Sequence, residues 1–394
     1  MKGKIFFGVG VGILVFVLGI SLLSAQTSEW LDGWQYRVPI TIRENSGNSL
    51  GDYQVMVEIN TQELISEGKM RDDCGDVRFA LENGSLLSYW IESGCNSQST
   101  RIWVKVPEIP ASGTTKIYMY YGNPGAESES DGENVFDDFA DFETDYDGYT
   151  MSGSYSRTTS QEVYGDYSVE IYSNMARGVK TRPFENLKYS GWINMDILTA
   201  GNSYLGFHTS GTPSGMAEIQ FSKTGGINYI CEGTMYSTGD TFSVDTWYKV
   251  EIRVKNNTDT YSIEFYVNDE KIGSCTVASL SQNMIFETGT EASKPTYYDL
   301  LYVAKYTSPE PTYTLGEEET STTTTTTTTT TTISTTTTTT LPQECGEIGS
   351  SCALCDDWVE LNTTKGILKV RDSDGNGKFD QVCCSGVVSE VIML

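Results

Sequence analysis

The chain has almost no histidine. His208 is the single imidazole in 394 residues, so a zinc site of the H-E-x-x-H kind has no place in it, and any Ser-His-Asp or Cys-His machinery would have to run through that one side chain. His208 sits in "SYLGFHTSG" with no nucleophile elbow beside it and reads as an ordinary loop or core histidine. Positive charge is scarce too. Lys and Arg number 26 against 53 Asp and Glu, a formal net charge of -27, and such a surface repels a phosphate backbone, which argues against nucleic acid as a partner. Most of these acids are expected to form a solvated face, with a minority available to calcium.

What is present begins with an apolar leader. Lys2 and Lys4 precede an uncharged run from Ile5 to Ala25, long enough to cross a bilayer and placed where a secretory signal stands, so residues 1–25 are read as a signal peptide or membrane anchor. Either reading exports the rest, because the basic end stays cytoplasmic. Ser24 and Ala25 suit cleavage, Leu23 does not, and processing at "KGKI" as in prepilins would instead leave the helix to build a filament. Cysteine usage fits an oxidising, extracellular location: Cys74 with Cys95 and Cys231 with Cys275 read as two local disulfides. Cys345, Cys352, Cys355, Cys383 and Cys384 form a third group, in which the adjacent Cys383 and Cys384 are poorly placed to bond each other. Asn83, Asn256 and Asn362 open N-x-S/T sequons, candidate glycan acceptors.

From Trp30 to about residue 135 apolar side chains alternate. Tyr36, Val38, Ile40 and Ile42 share a face, as do Tyr53, Val55, Val57 and Ile59, then Ile102, Val104 and Val106, and Ile117, Met119 and Tyr121. Period-two strands with turn-rich connections predict a half-buried antiparallel β-sandwich. The blocks "WQYRVPITI", "DVRF", "LSYWIE", "IWVKVPEIPASGTTKIYMYYGNP" and "VFDDF" resemble, in order, the domain of unknown function family 2341 over about Trp30 to Phe139. The resemblance implies an immunoglobulin-like or related all-β module of prokaryotic surface proteins, commonly followed by a lectin-like sandwich, with no established activity and no catalytic residues.

Residues 136–317 again alternate: Tyr248, Val250, Ile252 and Val254 face one way, a turn follows, then Tyr261, Ile263, Phe265 and Val267. With the hairpin at "NDEK" and the late strand "YYDLLYVAKY", the segment resembles the concanavalin A-like, laminin-G-like jelly rolls. Hydrolases on that fold need two opposed carboxylates. Their "E-x-D-x-x-E" strand has no copy here, since "EIQFSK" carries Gln220 where the aspartate would stand, so no catalytic residue is assigned and the chain is read as a non-enzyme. Trp192, Asn202, Tyr204, Tyr229, Glu232, Tyr236 and Trp247 are candidate glycan contacts, by stacking or by hydroxyl recognition. By family analogy Asp138, Asp141, Glu143 and Asp299 are candidates for a structural calcium.

Residues 318–342 are dominated by threonine. Threonine alone cannot make a core, because its hydroxyls would be buried without partners, so the run reads as a disordered, extended linker of the kind that accepts O-linked sugars. It resembles the stalks of archaeal surface proteins. The remaining residues, 343–394, are a small cysteine-rich module, and in it "DSDGNGKFD" matches a calcium loop with Asp372, Asp374, Asn376, Lys378 and Asp380 as ligands. Its twelfth position is Cys383 rather than glutamate, so a structural calcium is expected and not a sensor. The sequence thus predicts an all-β chain of two β-sandwich domains in tandem with an N-terminal hydrophobic helix. Its expected work is surface display with binding of a polysaccharide or glycoprotein; a structural envelope or filament subunit and a carbohydrate-active hydrolase are the alternatives.

Overall fold

A computed structural model describes residues 30–92, 94–182, 186–196, 201–209, 212–288 and 295–321, and the backbone of strands 359–363, 366–371 and 381–383. The chain divides into two units, Met1–Thr323 and Thr324–Leu394. The first contains both sandwiches, and the fold is all-β as the alternation predicts.

The first sandwich packs two sheets. Strands β1 (Tyr36–Arg43), β3 (Arg78–Leu81), β4 (Leu86–Leu87) and β7 (Thr114–Tyr121) form one; β2 (Leu50–Ile59), β5 (Tyr89–Ile91) and β6 (Thr100–Ile109) form the other. The in-phase residues Ile40, Ile42, Val55, Val57, Ile102, Val104, Ile117 and Met119 fill the space between them. Helix α1 (Thr61–Ser66) follows β2, and the Asn60 side chain accepts from Glu63 N at its start, satisfying one of the free N–H groups of the first turn. The expected Cys74–Cys95 disulfide forms, with Cα atoms 5.8 Å apart.

Helix α2 (Gly132–Val135) leads into the second sandwich: β8 (Asp138–Ala140), β9 (Thr150–Thr158), β10 (Ser168–Thr181), β11 (Leu187–Met195), β12 (Ser203–Thr209), β13 (Thr212–Phe221), β14 (Gly226–Cys231), β15 (Thr234–Thr241), β16 (Tyr248–Asn256), β17 (Tyr261–Val267), β18 (Glu270–Val277), β19 (Asn283–Thr288) and β20 (Thr296–Lys305). Hydrogen bonding runs in the order β15-β14-β13-β12-β19-β10-β20-β11-β16-β17-β18, with β8 on β20 and β9 on β10. The Cys231–Cys275 disulfide ties β14 to β18, near the two ends of that order.

Strand β20 is buried on both faces. A bulge explains how its apolar run serves two partners: Leu300 takes φ 52°, and the pairing with β11 slips between Ser190 and Trp192, which shifts the side-chain phase by one. Tyr298, Leu301 and Val303 therefore enter the jelly-roll core, while Leu300, Tyr302 and Ala304 face the first sandwich with Trp90, Trp103 and Phe136. Rings at this junction pack edge to face, Trp90–Phe136 at 5.5 Å and Trp103–Tyr302 at 6.0 Å. Inside it Lys249 Nζ lies 2.5 Å from Glu92 Oε1, and Tyr302 Oη and Trp103 Nε1 donate to the same carboxylate. Arg101 Nε also contacts it at 3.3 Å.

The chain then returns to the first sandwich. Strand β21 (Thr312–Leu315) pairs along Ile40–Arg43 of β1, and β22 (Glu319–Thr320) pairs with Tyr36 and Arg37. Residues 312–320, expected at the end of the jelly roll and the start of the linker, instead cover the edge of β1, whose N–H and C=O groups would otherwise be a template for other strands. Ser321 N donates to Gln35 O at 2.8 Å, which extends the pairing with β1 by one residue at each strand's end.

In the second unit β23 (Val359–Thr363), β24 (Gly366–Arg371) and β25 (Gln381–Cys383) pair antiparallel, Arg371 opposite Gln381. Asn362 lies on β23 and Cys383 on β25. The leader, most of the threonine run, Cys345, Cys352, Cys355, Cys384 and the calcium-loop residues Asp372, Asp374, Asn376, Lys378 and Asp380 lie outside the described residues. Among the described residues no helix is long and apolar enough to cross a membrane.

Candidate functional site

Strands β10, β19, β12, β13, β14 and β15 are neighbours in the jelly-roll sheet. Alternation sends Phe207, Ala217, Ile219, Phe221, Met284 and Phe286 into the core, and the residues of opposite phase to the other face. Register aligns those into rows. One row is polar from end to end: Ser237 stands opposite Asn228, Asn228 opposite Gln220, Gln220 opposite Tyr204, Tyr204 opposite Glu287, and Glu287 opposite Arg177. The next row runs Met235, Ile230, Glu218, Gly206, Ile285, Val179.

The polar row is a hydrogen-bonded ribbon. Asn228 Nδ2 donates to Gln220 Oε1 (2.9 Å), Gln220 Nε2 to Tyr204 Oη (3.0 Å), and Asn202 Nδ2 to the same phenol (3.2 Å). The amides hold the phenol, and burial pushes the Tyr204 ionisation up, so Oη stays protonated. At the β15 edge Met235 and Tyr236 are exposed.

Beside the ribbon three ionisable groups meet. His208 Nδ1 lies 3.5 Å from Glu218 Oε1 and 3.8 Å from Glu287 Oε1. Glycine at 206 makes the approach feasible: a Cβ there would stand 2.2 Å from Ala217 O and 3.0 Å from Glu218 Cγ, so the Glu218 side chain lies over space that any other residue would fill. Glu218 is 2% exposed and Glu287 8%, and Glu218 Oε1, Glu287 Oε2 and His208 Nδ1 are all buried without a hydrogen-bond partner. Burial, with the charge of Glu287 adding to it, raises the Glu218 carboxyl well above the usual range.

Of the glycan contacts expected from sequence, Asn202 and Tyr204 belong to this face. Tyr229 points the other way, stacked between Tyr236 (4.9 Å) and Phe265 (5.0 Å). Trp192 packs against the junction with the first sandwich, Glu232 is exposed at the β14–β15 turn, and Trp247 is half-buried before β16. Gln220, Asn228, Glu218, Glu287 and His208 were missed as a group; their shared outward phase is legible within each strand, but not the pairing that aligns them. The acids expected around calcium are engaged separately. Asp138 pairs with Lys180 at 2.6 Å, Asp141 Oδ1 accepts from Glu143 N, and Glu143 accepts from the N–H groups of Asp166 and Tyr167. Asp299 accepts from those of Val163 and Tyr164. Asn83 and Asn256 are exposed.

A second concavity, of about 350 Å³, opens where the sandwiches meet and is lined by Trp103, Lys188, Glu251, Arg253 and Glu310. Its charges neutralise one another, Lys188 with Glu310 at 2.6 Å and Arg253 with Glu251 at 2.5 Å, and it serves the junction.

A family model described as a domain of unknown function, DUF2341, matches residues 73–150. This overlaps the stretch expected from sequence from residue 73 on. No curated protein matches the chain. Among solved structures it is similar to a sialidase (12% identity over 56% of this chain and 21% of that one, TM-score 0.35). It is also similar to the carbohydrate binding module CBM66 from Bacillus subtilis (10% identity, 40% and 96%, TM-score 0.30) and to lectin UEA-II complexed with galactose (10% identity, 43% and 96%, TM-score 0.27).

Proposed function

We propose that the second sandwich binds carbohydrate, as part of a polysaccharide or glycoprotein, without catalysing its cleavage, and that the chain is exported to display this face at the cell surface. The observation that carries the reading is the ribbon Asn228–Gln220–Tyr204 with Asn202. Amide and phenol groups held in fixed order each retain donor or acceptor capacity, which matches the alternating donors and acceptors of sugar hydroxyls. The exposed Met235, in the neighbouring row at the sheet edge, offers an apolar surface beside it. The test is a glycan array probed with the full chain: binding to a defined class of oligosaccharide supports the reading, and no binding to any glycan overturns it.

A second reading, hydrolysis, is favoured by the paired carboxylates Glu218 and Glu287, since glycosidases use two opposed acids. Glu218 Oε1 and Glu287 Oε2 have no accessible surface from which to reach a glycosidic bond, which is why binding is preferred. Release of reducing sugar that Glu218→Gln abolishes would establish hydrolysis instead.

A further inference from the structure

The trio of His208, Glu218 and Glu287 is unlike the ribbon next to it, because its atoms face one another without donors to satisfy them. We propose that it is a metal site, which takes a zinc-class divalent cation through one imidazole nitrogen and two carboxylate oxygens. The inference is independent of whether the ribbon binds sugar.

Geometry supports it first. All three ligand-type atoms lie within 4.8 Å of one another, and the separations from His208 Nδ1, 3.5 and 3.8 Å, are close to the roughly 3.4 Å between neighbouring atoms on a tetrahedral ion with bonds of about 2.0–2.1 Å. The second support is the unmet demand: Glu218, 2% exposed, aims Oε1 into the cluster, where it faces His208 Nδ1, and neither atom has a hydrogen-bond partner. A divalent ion can balance two carboxylates at once, where one imidazolium balances only one. The nitrogen ligand disfavours calcium and magnesium, which take oxygen, and suits zinc, cobalt or manganese. The ligands come from β12, β13 and β19, so the ion would pin three adjacent strands, with a fourth position left for water or a ligand oxygen.

The experiment uses the full chain, stripped of metal by chelation and titrated with Zn²⁺ while bound metal and unfolding temperature are read. Cysteine thiolates also take zinc, and Cys345, Cys352, Cys355, Cys383 and Cys384 lie in the same chain, so the comparison is with Glu218→Gln and with His208→Gln. Each variant is expected to bind one equivalent less than the parent, or to bind it with affinity reduced beyond the ~10–100-fold that loss of an outer partner costs, and to lose the zinc-dependent rise in unfolding temperature. Glu218→Gln keeps the size of the buried side chain without placing a charge there and should fold in its own right. With Co²⁺ as probe, the d–d bands lost in both variants should carry no thiolate charge-transfer band. Equal zinc stoichiometry and affinity in the parent and both variants would overturn the proposal.

Discussion

Asp299 shows how a single side chain records its surroundings. It sits at the β20 bulge with no exposed surface, and burial pushes its carboxyl up to about 7 although the N–H groups of Val163 and Tyr164 favour the charged form. An aspartate in an unfolded chain titrates near 3.9. The fold thus keeps a proton that the unfolded chain releases, so this residue contributes most below about pH 4 and its contribution falls away as the pH rises to about 7. Unfolding temperatures of the parent and of Asp299→Asn, measured at pH 4 and pH 8, should be closest at the lower value and separate at the higher, with the variant more stable at pH 8. Parallel curves would show that Asp299 is ionised throughout.

Elements set where the functional side chains stand. Gly206 lies in the middle of β12, where a Cβ would meet Ala217 O at 2.2 Å; Gly206→Ala should therefore cost about 1–3 kcal/mol, the usual penalty of overpacking. Chemical denaturation checks this, and a neutral effect would mean that β12 and β13 separate freely. The strands themselves were legible in the sequence, because period-two alternation is local: Tyr53, Val55, Val57 and Ile59 read as one face and are one face. The polar row was not. Tyr204 meets Glu287 through the pairing of β12 with β19, and several strands intervene in the sequence. Their capacity to stack on a sugar grouped Tyr229 with Tyr204, and alternation between strands separated them, Tyr229 going to the core side against Phe265. His208 read as an ordinary histidine for the same reason, since its partners come from two other strands.

At the scale of the molecule the two sandwiches are coupled by chemistry as well as by apolar packing. Lys249 and Glu92 are each almost wholly buried where they meet. Burial pushes the Glu92 carboxyl up, and Lys249 and Arg101 outweigh it, holding the group below its ordinary value. Lys249→Met should cost about 1–3 kcal/mol, less than the ~3–5 kcal/mol of a fully stranded buried charge because Arg101 still contacts Glu92, and adding Glu92→Gln should recover much of that loss; urea titration of the single and double variants checks both parts, and an additive double variant would deny the coupling. The return of β21 and β22 to β1 also brings Ser321 back beside Gln35.

The measurement that bears most directly on carbohydrate binding is an equilibrium titration of the full chain, and of its Gln220→Ala variant, with an oligosaccharide selected on the glycan array. Losing the amide that joins Asn228 to Tyr204 should weaken binding by about tenfold or more, the equivalent of about 1.4 kcal/mol. The same affinity in both proteins would place the sugar elsewhere and contradict the assignment of the site.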